Sequence, residues 1–272
     1  MMDNFFASET IAVTDSTVFG FTVTGIMYLT LPAAAFFLAR RYGAASVYPV
    51  IVGAIVYHLS TMLCDLCTYV VGAGTSFAGM TVIAAELVCI FEETGRFLAM
   101  KYPIANISST HRALCYGIGH AGLECWIRGV QQFKVVKNLN ELKIRGLDSL
   151  VSGLSEERAA AVTEELRRYA ENGIFMSMLD QIICIINFGF HTALSLLLFK
   201  KLGSSDRQKR WLLAAILLHY CMNFTVWLAS LTGNMLFQKL TGIICGIAVI
   251  TAVSKMIDLK QCMDEIKYPV SD

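Results

Sequence analysis

Phe91-Glu92-Glu93-Thr94-Gly95-Arg96 sits inside an otherwise apolar run, Thr81 to Met100, of a length that crosses a bilayer. Two adjacent carboxylates and a guanidinium at hydrocarbon depth are costly, and such groups face a protein interior or a water-filled cavity. An ordinary membrane helix does not carry them. What these three charges meet decides how the rest of the chain is read.

The surroundings point to a membrane. Of 272 residues, 56% are hydrophobic and only 16% charged, whereas a soluble domain carries about 25% charged residues. The expected fold is an all-α polytopic transmembrane bundle, a single membrane domain over 1–272 with the lipid bilayer as its partner. Formal net charge is +1, which leaves no electrostatic case for nucleic acid. The nine cysteines are scattered, most of them in apolar runs, and read as packed free thiols rather than a disulfide frame. Cys64 and Cys67 form a C-x-x-C without a second pair, weak ground for a metal or redox site. Asp3, Glu9 and Asp15 with no Lys or Arg in the first twenty residues are the reverse of a signal peptide's basic start.

Outward from the opening stretch, about seven apolar segments reach spanning length. They are Ser16–Ala39, Ala45–Tyr69, Gly79–Met100, Arg112–Phe133, Ile174–Phe199, Trp211–Leu231 and Phe237–Met256. Basic residues flank them at Arg40-Arg41, at Lys101 and Arg112, at Lys200 to Arg210, and at Lys255 and Lys260. With the N-terminus outside, every set falls on the cytoplasmic side, and so does the C-terminus. A polar insert at 134–173 interrupts this plan and is expected to be helical and extramembrane. Asn138 to Leu154 reads as one short helix. Ser155-Glu156-Glu157 opens another, with Glu164 and Arg168 paired at i,i+4 and Gly173 at its end.

Depth then singles out a layer. Glu92 lies about nine residues from Lys101, His120 about eight from Arg112, His191 about nine from Lys200 and His219 about nine from Arg210. At 1.5 Å per residue, each is roughly 12–14 Å in from the cytoplasmic end of a different span. Only five histidines exist in the chain, and three are in this layer. Glu124, Asn187 and Asn223 lie four residues from His120, His191 and His219, on the same helix faces. Glu86 adds a carboxylate at similar depth. The count places Glu92, rather than Glu93, with the histidines, and Arg96 is spaced to neutralise either glutamate. His58, near the outer face, and the interfacial His111 read as structural.

A lone membrane histidine is usually an interhelical hydrogen-bond partner, but matched depth in four segments points to a functional site. Imidazole and carboxylate are zinc's ligand types, and three protein ligands plus water make a hydrolytic centre. Glu92, His120, His191 and His219 are the candidate ligands of a divalent metal, zinc first. A neighbouring carboxylate such as Glu93 can take the proton from water. Asn223 can donate to the oxyanion. Small residues around His120 (Gly117, Gly119, Ala121 and Gly122) allow another backbone to approach closely.

The glutamate pair with its arginine, Tyr116 four residues before His120, and His219-x-x-x-Asn223 resemble the CAAX-protease and bacteriocin-processing superfamily of intramembrane proteases. Glu-Glu-Thr-Gly-Arg, Gly-Ile-Gly-His-Ala-Gly-Leu-Glu and His191 followed by Ser195 look, more specifically, like the bacterial YhfC-type membrane peptidases. The resemblance implies a multi-pass protein of the bacterial plasma membrane that hydrolyses a membrane protein or peptide. It implies that Glu92, His120 and His219 do the catalysis, as metal ligands or by activating water directly, with Asn223 as oxyanion or positioning group. The chain departs from the prenyl endopeptidases in having two residues before the arginine, Thr94 and Gly95, and Tyr116 in place of Phe. Glu124 and His191 are extra, so which histidine completes the site stays open. The rival expectations are a scaffold subunit of the same fold, as in the anterior-pharynx-defective subunit of gamma-secretase, and a proton-coupled transporter. No inverted repeat supports the transporter.

Overall fold

The computed structural model describes residues 11–42, 46–72, 77–104, 110–202 and 208–267, with the side chains at 71–72, 77–83, 85–86, 259 and 267 left undescribed. Glu86 falls among the latter. The described residues form an all-α bundle of α1 (Asp15–Arg41), α2 (Val47–Gly72), α3 (Phe77–Lys101), α4 (Thr110–Arg145), α5 (Asp148–Val151), α6 (Glu156–Glu171), α7 (Ile174–Leu202), α8 (Gln208–Ser230), α9 (Met235–Met256) and α10 (Leu259–Lys267). Each expected apolar segment coincides with a helix to within two residues: Ser46 precedes α2, Leu231 follows α8, and Ala45 lies outside the described residues. Among the described residues, five helices, α1, α2, α7, α8 and α9, are long and apolar enough to cross a membrane. Glu92, Glu93 and Arg96 sit on α3, and His120 and Glu124 sit on α4; neither helix is among those five.

The polar insert is built differently from expectation. No separate helix covers Asn138 to Leu154: α4 continues unbroken to Arg145, Gly146 ends it at φ +80°, and α5 is a single turn. Hydropathy changes at Phe133, but nothing in the next dozen residues breaks a helix, so polarity and helix end do not coincide. On α6, Glu164 pairs with Arg167 at 3.1 Å, one turn in the i,i+3 direction, rather than with Arg168.

The chain divides into two compact units. The smaller comprises Met1–Leu29 and Ile127–Gln181. There Phe21, Leu139 and Ala170 form a small core, Phe21 meets the edge of Tyr169 at 5.6 Å, and Lys143 pairs with Asp15.

The larger unit, Thr30–Trp126 with Ile182–Asp272, contains every candidate site residue. α7 is its central helix: 56% of its most apolar window is buried, against 28% or less in the other four apolar helices. α3 packs on α2 and α8, and α8 on α9. Helices α2 and α4 meet through glycine. A Cβ on Gly119 would lie 1.9 Å from the Val50 carbonyl oxygen, and one on Gly53 would lie 2.2 Å from that of Tyr116. The two backbones touch at Tyr116, Gly119 and the His120 nitrogen, the turn that leads into His120, which fixes where that side chain enters the unit. At one end, α10 ties α4 to α7: Glu265 accepts hydrogen bonds from Thr110 and Lys200, and the His111 ring lies 2.9 Å from the Ile266 carbonyl.

Two outcomes follow from this packing. Gly119→Ala must push α2 and α4 apart, since the obstacle is backbone; a loss of about 1–3 kcal/mol is expected in detergent unfolding. Burial alone would raise the Glu265 carboxyl, but its bonds to Lys200 and Thr110 outweigh that and hold it below the usual range. A depressed carboxyl stabilises the fold above its unfolded pKa of about 4.3 and stops doing so as pH falls through the folded value. Glu265→Gln should lower the unfolding temperature at pH 7 and flatten its decline below about pH 4. Parallel pH curves for the two proteins would refute the assignment.

Candidate metal centre

Four helices of the larger unit each contribute to one buried cluster. α3 brings Glu92, Glu93 and Arg96; α4 brings His120 and Glu124; α7 brings His191; α8 brings His219, and all are buried. Their helical spacing explains the grouping. On α4 the i,i+4 separation stacks His120 and Glu124 on one face, and on α3 Glu93 and Arg96 are one turn apart. The rings form a chain, His120 to His191 at 5.0 Å and His191 to His219 at 5.3 Å between centroids. Aromatic side chains wall them in: Tyr57 meets His120 edge-on at 5.2 Å, Tyr116 stacks near it, and Phe190 contacts both His191 and His219.

The polar contacts assign partners. Arg96 donates from Nη1 to both oxygens of Glu93 at 2.8 Å, and its Nη2 lies 3.1 Å from His191 Nδ1. His219 Nδ1 lies 2.9 Å from Glu93 Oε1. His120 Nε2 lies 3.1 Å from Glu92 Oε2, and His191 Nε2 lies 3.0 Å from Glu124 Oε2. Arginine has donors only, so His191 Nδ1 is the acceptor and its ring proton sits on Nε2, facing Glu124. Toward an ionised Glu93, His219 carries its proton on Nδ1 and leaves Nε2 as a lone pair.

Glu92, His191 and His219 each offer a ligand atom within 4.8 Å of the others, the spacing of a group that can hold a metal ion. One carboxylate and two imidazoles suit zinc among the divalent metals. The donor set therefore fits a metal. His120 stands beside this trio rather than in it, with Nε2 on Glu92 and a buried Nδ1 that has no hydrogen-bond partner among the described residues.

The expected layer of Glu92, His120, His191 and His219 thus comes together in space. Glu93 does too, contrary to the depth count. Consecutive helical residues point about 100° apart; Glu92 faces α4 and α7 while Glu93 reaches His219 on α8, and depth alone does not register that rotation. Glu124 joins the cluster through His191. Asn223 donates instead to Cys89 Sγ at 3.4 Å, and the half-buried Asn187 makes no hydrogen bond among the described residues. His58 is exposed, and His111 belongs to the α10 contact. Tyr57 and Cys89 were not singled out by sequence. Only Cys89 had a positional cue, one turn before Glu92.

Residues 27–250 match the family profile described as YhfC intramembrane metalloprotease. The chain belongs to this family. The match spans every residue of the cluster, so the YhfC membership and the buried Glu92-His191-His219 trio support one another. No curated protein and no solved structure matches the chain significantly.

Removing one partner of a buried ion pair strands the other and costs about 3–5 kcal/mol. Arg96→Met should therefore destabilise the YhfC-family chain by that order in detergent unfolding. Glu93→Leu combined with Arg96→Met should recover part of the loss. Simple addition of the two single losses in the double variant would show that the pair is not coupled.

Proposed function

We propose that this YhfC-family chain is an endopeptidase that hydrolyses a peptide bond of a membrane protein or peptide within the bilayer. In this reading the chain makes seven spans with the N-terminus outside, and 134–173 is extramembrane. The observation that carries it is the trio Glu92, His191 and His219, buried on three helices of a membrane bundle and flanked by further carboxylates.

Glu92, His191 and His219 are the residues that would hold the metal. Bound there, a divalent ion supplies Lewis acidity and lowers the pKa of water at neutral pH. The chain's own groups do the rest. The Glu92–His120 pair accepts and passes on the proton of the attacking water, since His120 Nδ1 has no hydrogen-bond partner among the described residues. Glu93, held by Arg96, keeps His219 in a fixed tautomer. Asn223 has a second amide N–H beyond the one given to Cys89, available to a developing oxyanion. Tyr57, Tyr116 and Phe190 keep bulk water away from the reacting groups, which strengthens each of these interactions.

The depth count supports access from the cytoplasmic half of the bilayer, roughly 12–14 Å below the helix ends. Purified protein in proteoliposomes, offered a fluorogenic library of hydrophobic helical peptides, should cleave a subset, and a chelator should stop it. Glu92→Gln should lower the rate by about 10²–10⁴-fold. Cleavage that persists unchanged in both Glu92→Gln and His219→Ala would overturn the mechanism.

A further inference from the structure

Glu124 and His191 are the pair that the prenyl-endopeptidase pattern does not contain, yet they occupy the middle of the cluster. His191 is the ring between the other two histidines, and it touches three elements at once. Its Nδ1 lies 3.1 Å from Arg96 Nη2 and 3.8 Å from Glu92 Oε2, and its Nε2 lies 3.0 Å from Glu124 Oε2. Both side chains are nearly fully buried. In such surroundings a ring with two usable tautomers needs a partner that selects one.

We infer that Glu124 is the positioning residue for His191, fixing the tautomer that offers Nδ1 toward Glu92, and that His120 is not a ligand. This assignment rests on the metallopeptidase reading and deepens it. A guanidinium cannot accept a hydrogen bond, so Nδ1 bears the lone pair. Nε2 then bears the proton, and the Glu124 carboxylate is the charged partner beside it, its Oε2 3.0 Å away though off the line of a formed hydrogen bond. His219 shows the opposite arrangement, with Nδ1 on Glu93, so it offers Nε2. The two imidazoles are therefore set by two carboxylates on different helices, α3 and α4, and they present different nitrogens to the same space. His120 has its Nε2 on Glu92 and acts on that carboxylate.

Arg96 enters the same scheme. The lone pair it engages on His191 is the one that faces Glu92. A cation held by Glu92, His191 and His219 would compete with Nη2 for that lone pair, whereas the bonds from Nη1 to Glu93 involve none of the three.

The test uses full-length protein in detergent with Zn2+ and Co2+ as probes, read by stoichiometry, by chelator competition and by the Co2+ absorption spectrum. Wild type should bind about one ion per chain. Glu124→Ala should weaken affinity by about 10–100-fold and shift the Co2+ spectrum, and Glu124→Gln, which keeps an acceptor, should restore much of both. His191→Ala should abolish tight binding, whereas His120→Ala should retain it at wild-type stoichiometry. Unfolding temperatures of all variants separate loss of binding from loss of fold, and the Gln variant carries the comparison if the Ala variant does not fold. Wild-type affinity and spectrum in Glu124→Ala, or binding lost in His120→Ala and kept in His191→Ala, would overturn the assignment. A wild type that binds no ion would instead defeat the metallopeptidase reading, and this assignment with it.

Discussion

The guanidinium of Arg96 is the contact on which the centre depends. Charges this deep are tolerated only when paired and hydrogen-bonded, and Arg96 meets that condition for Glu93 with two bonds from one nitrogen. Through Glu93 it reaches His219, and through its other nitrogen it reaches His191. One cation on α3 thereby organises histidines from α7 and α8. Its charge does not suffice for the whole cluster, however. Glu92, Glu93 and Glu124 are three buried carboxylates against one arginine, so full ionisation leaves two negative charges among neutral imidazoles, the deficit that a divalent cation cancels.

Backbone contact supplies the precision that this electrostatic arrangement needs. Side-chain packing leaves helices about 8–10 Å apart, but glycine at 53 and 119 lets α2 and α4 approach until a carbonyl would strike any Cβ. His120 directly follows these contacts, with Tyr57 of α2 against its ring. Its position is therefore set by main-chain atoms, which move less than side chains. The rings of Tyr57, Tyr116 and Phe190 then pack directly against the three histidines.

Much of this was legible in the sequence, and the parts that were not have a common cause. Length and apolarity located all the long helices, because burying an unsatisfied backbone in lipid leaves few alternatives. Distance from the basic flanks brought Glu92, His120, His191 and His219 into one layer, since rise per residue is fixed. Rotation about each helix axis is not fixed by any such count. Glu93 was for that reason underrated, Asn223 was expected to face the site but also binds Cys89, and Tyr57 carried no signal at all. The end of α4 escaped because hydropathy reports the solvent around a helix, while the helix itself ends only at Gly146, where the backbone turns left-handed.

The knot of Thr110, His111, Lys200 and α10 has a mechanical meaning beyond its hydrogen bonds. It joins the first residues of α4 to the last turn of α7, the two helices that carry Glu124 and His191. Sliding one helix past the other by a single turn, about 5.4 Å, would carry those partners out of reach. Helix α10 thus works as an axial stop that keeps residues buried far inside the bundle in register.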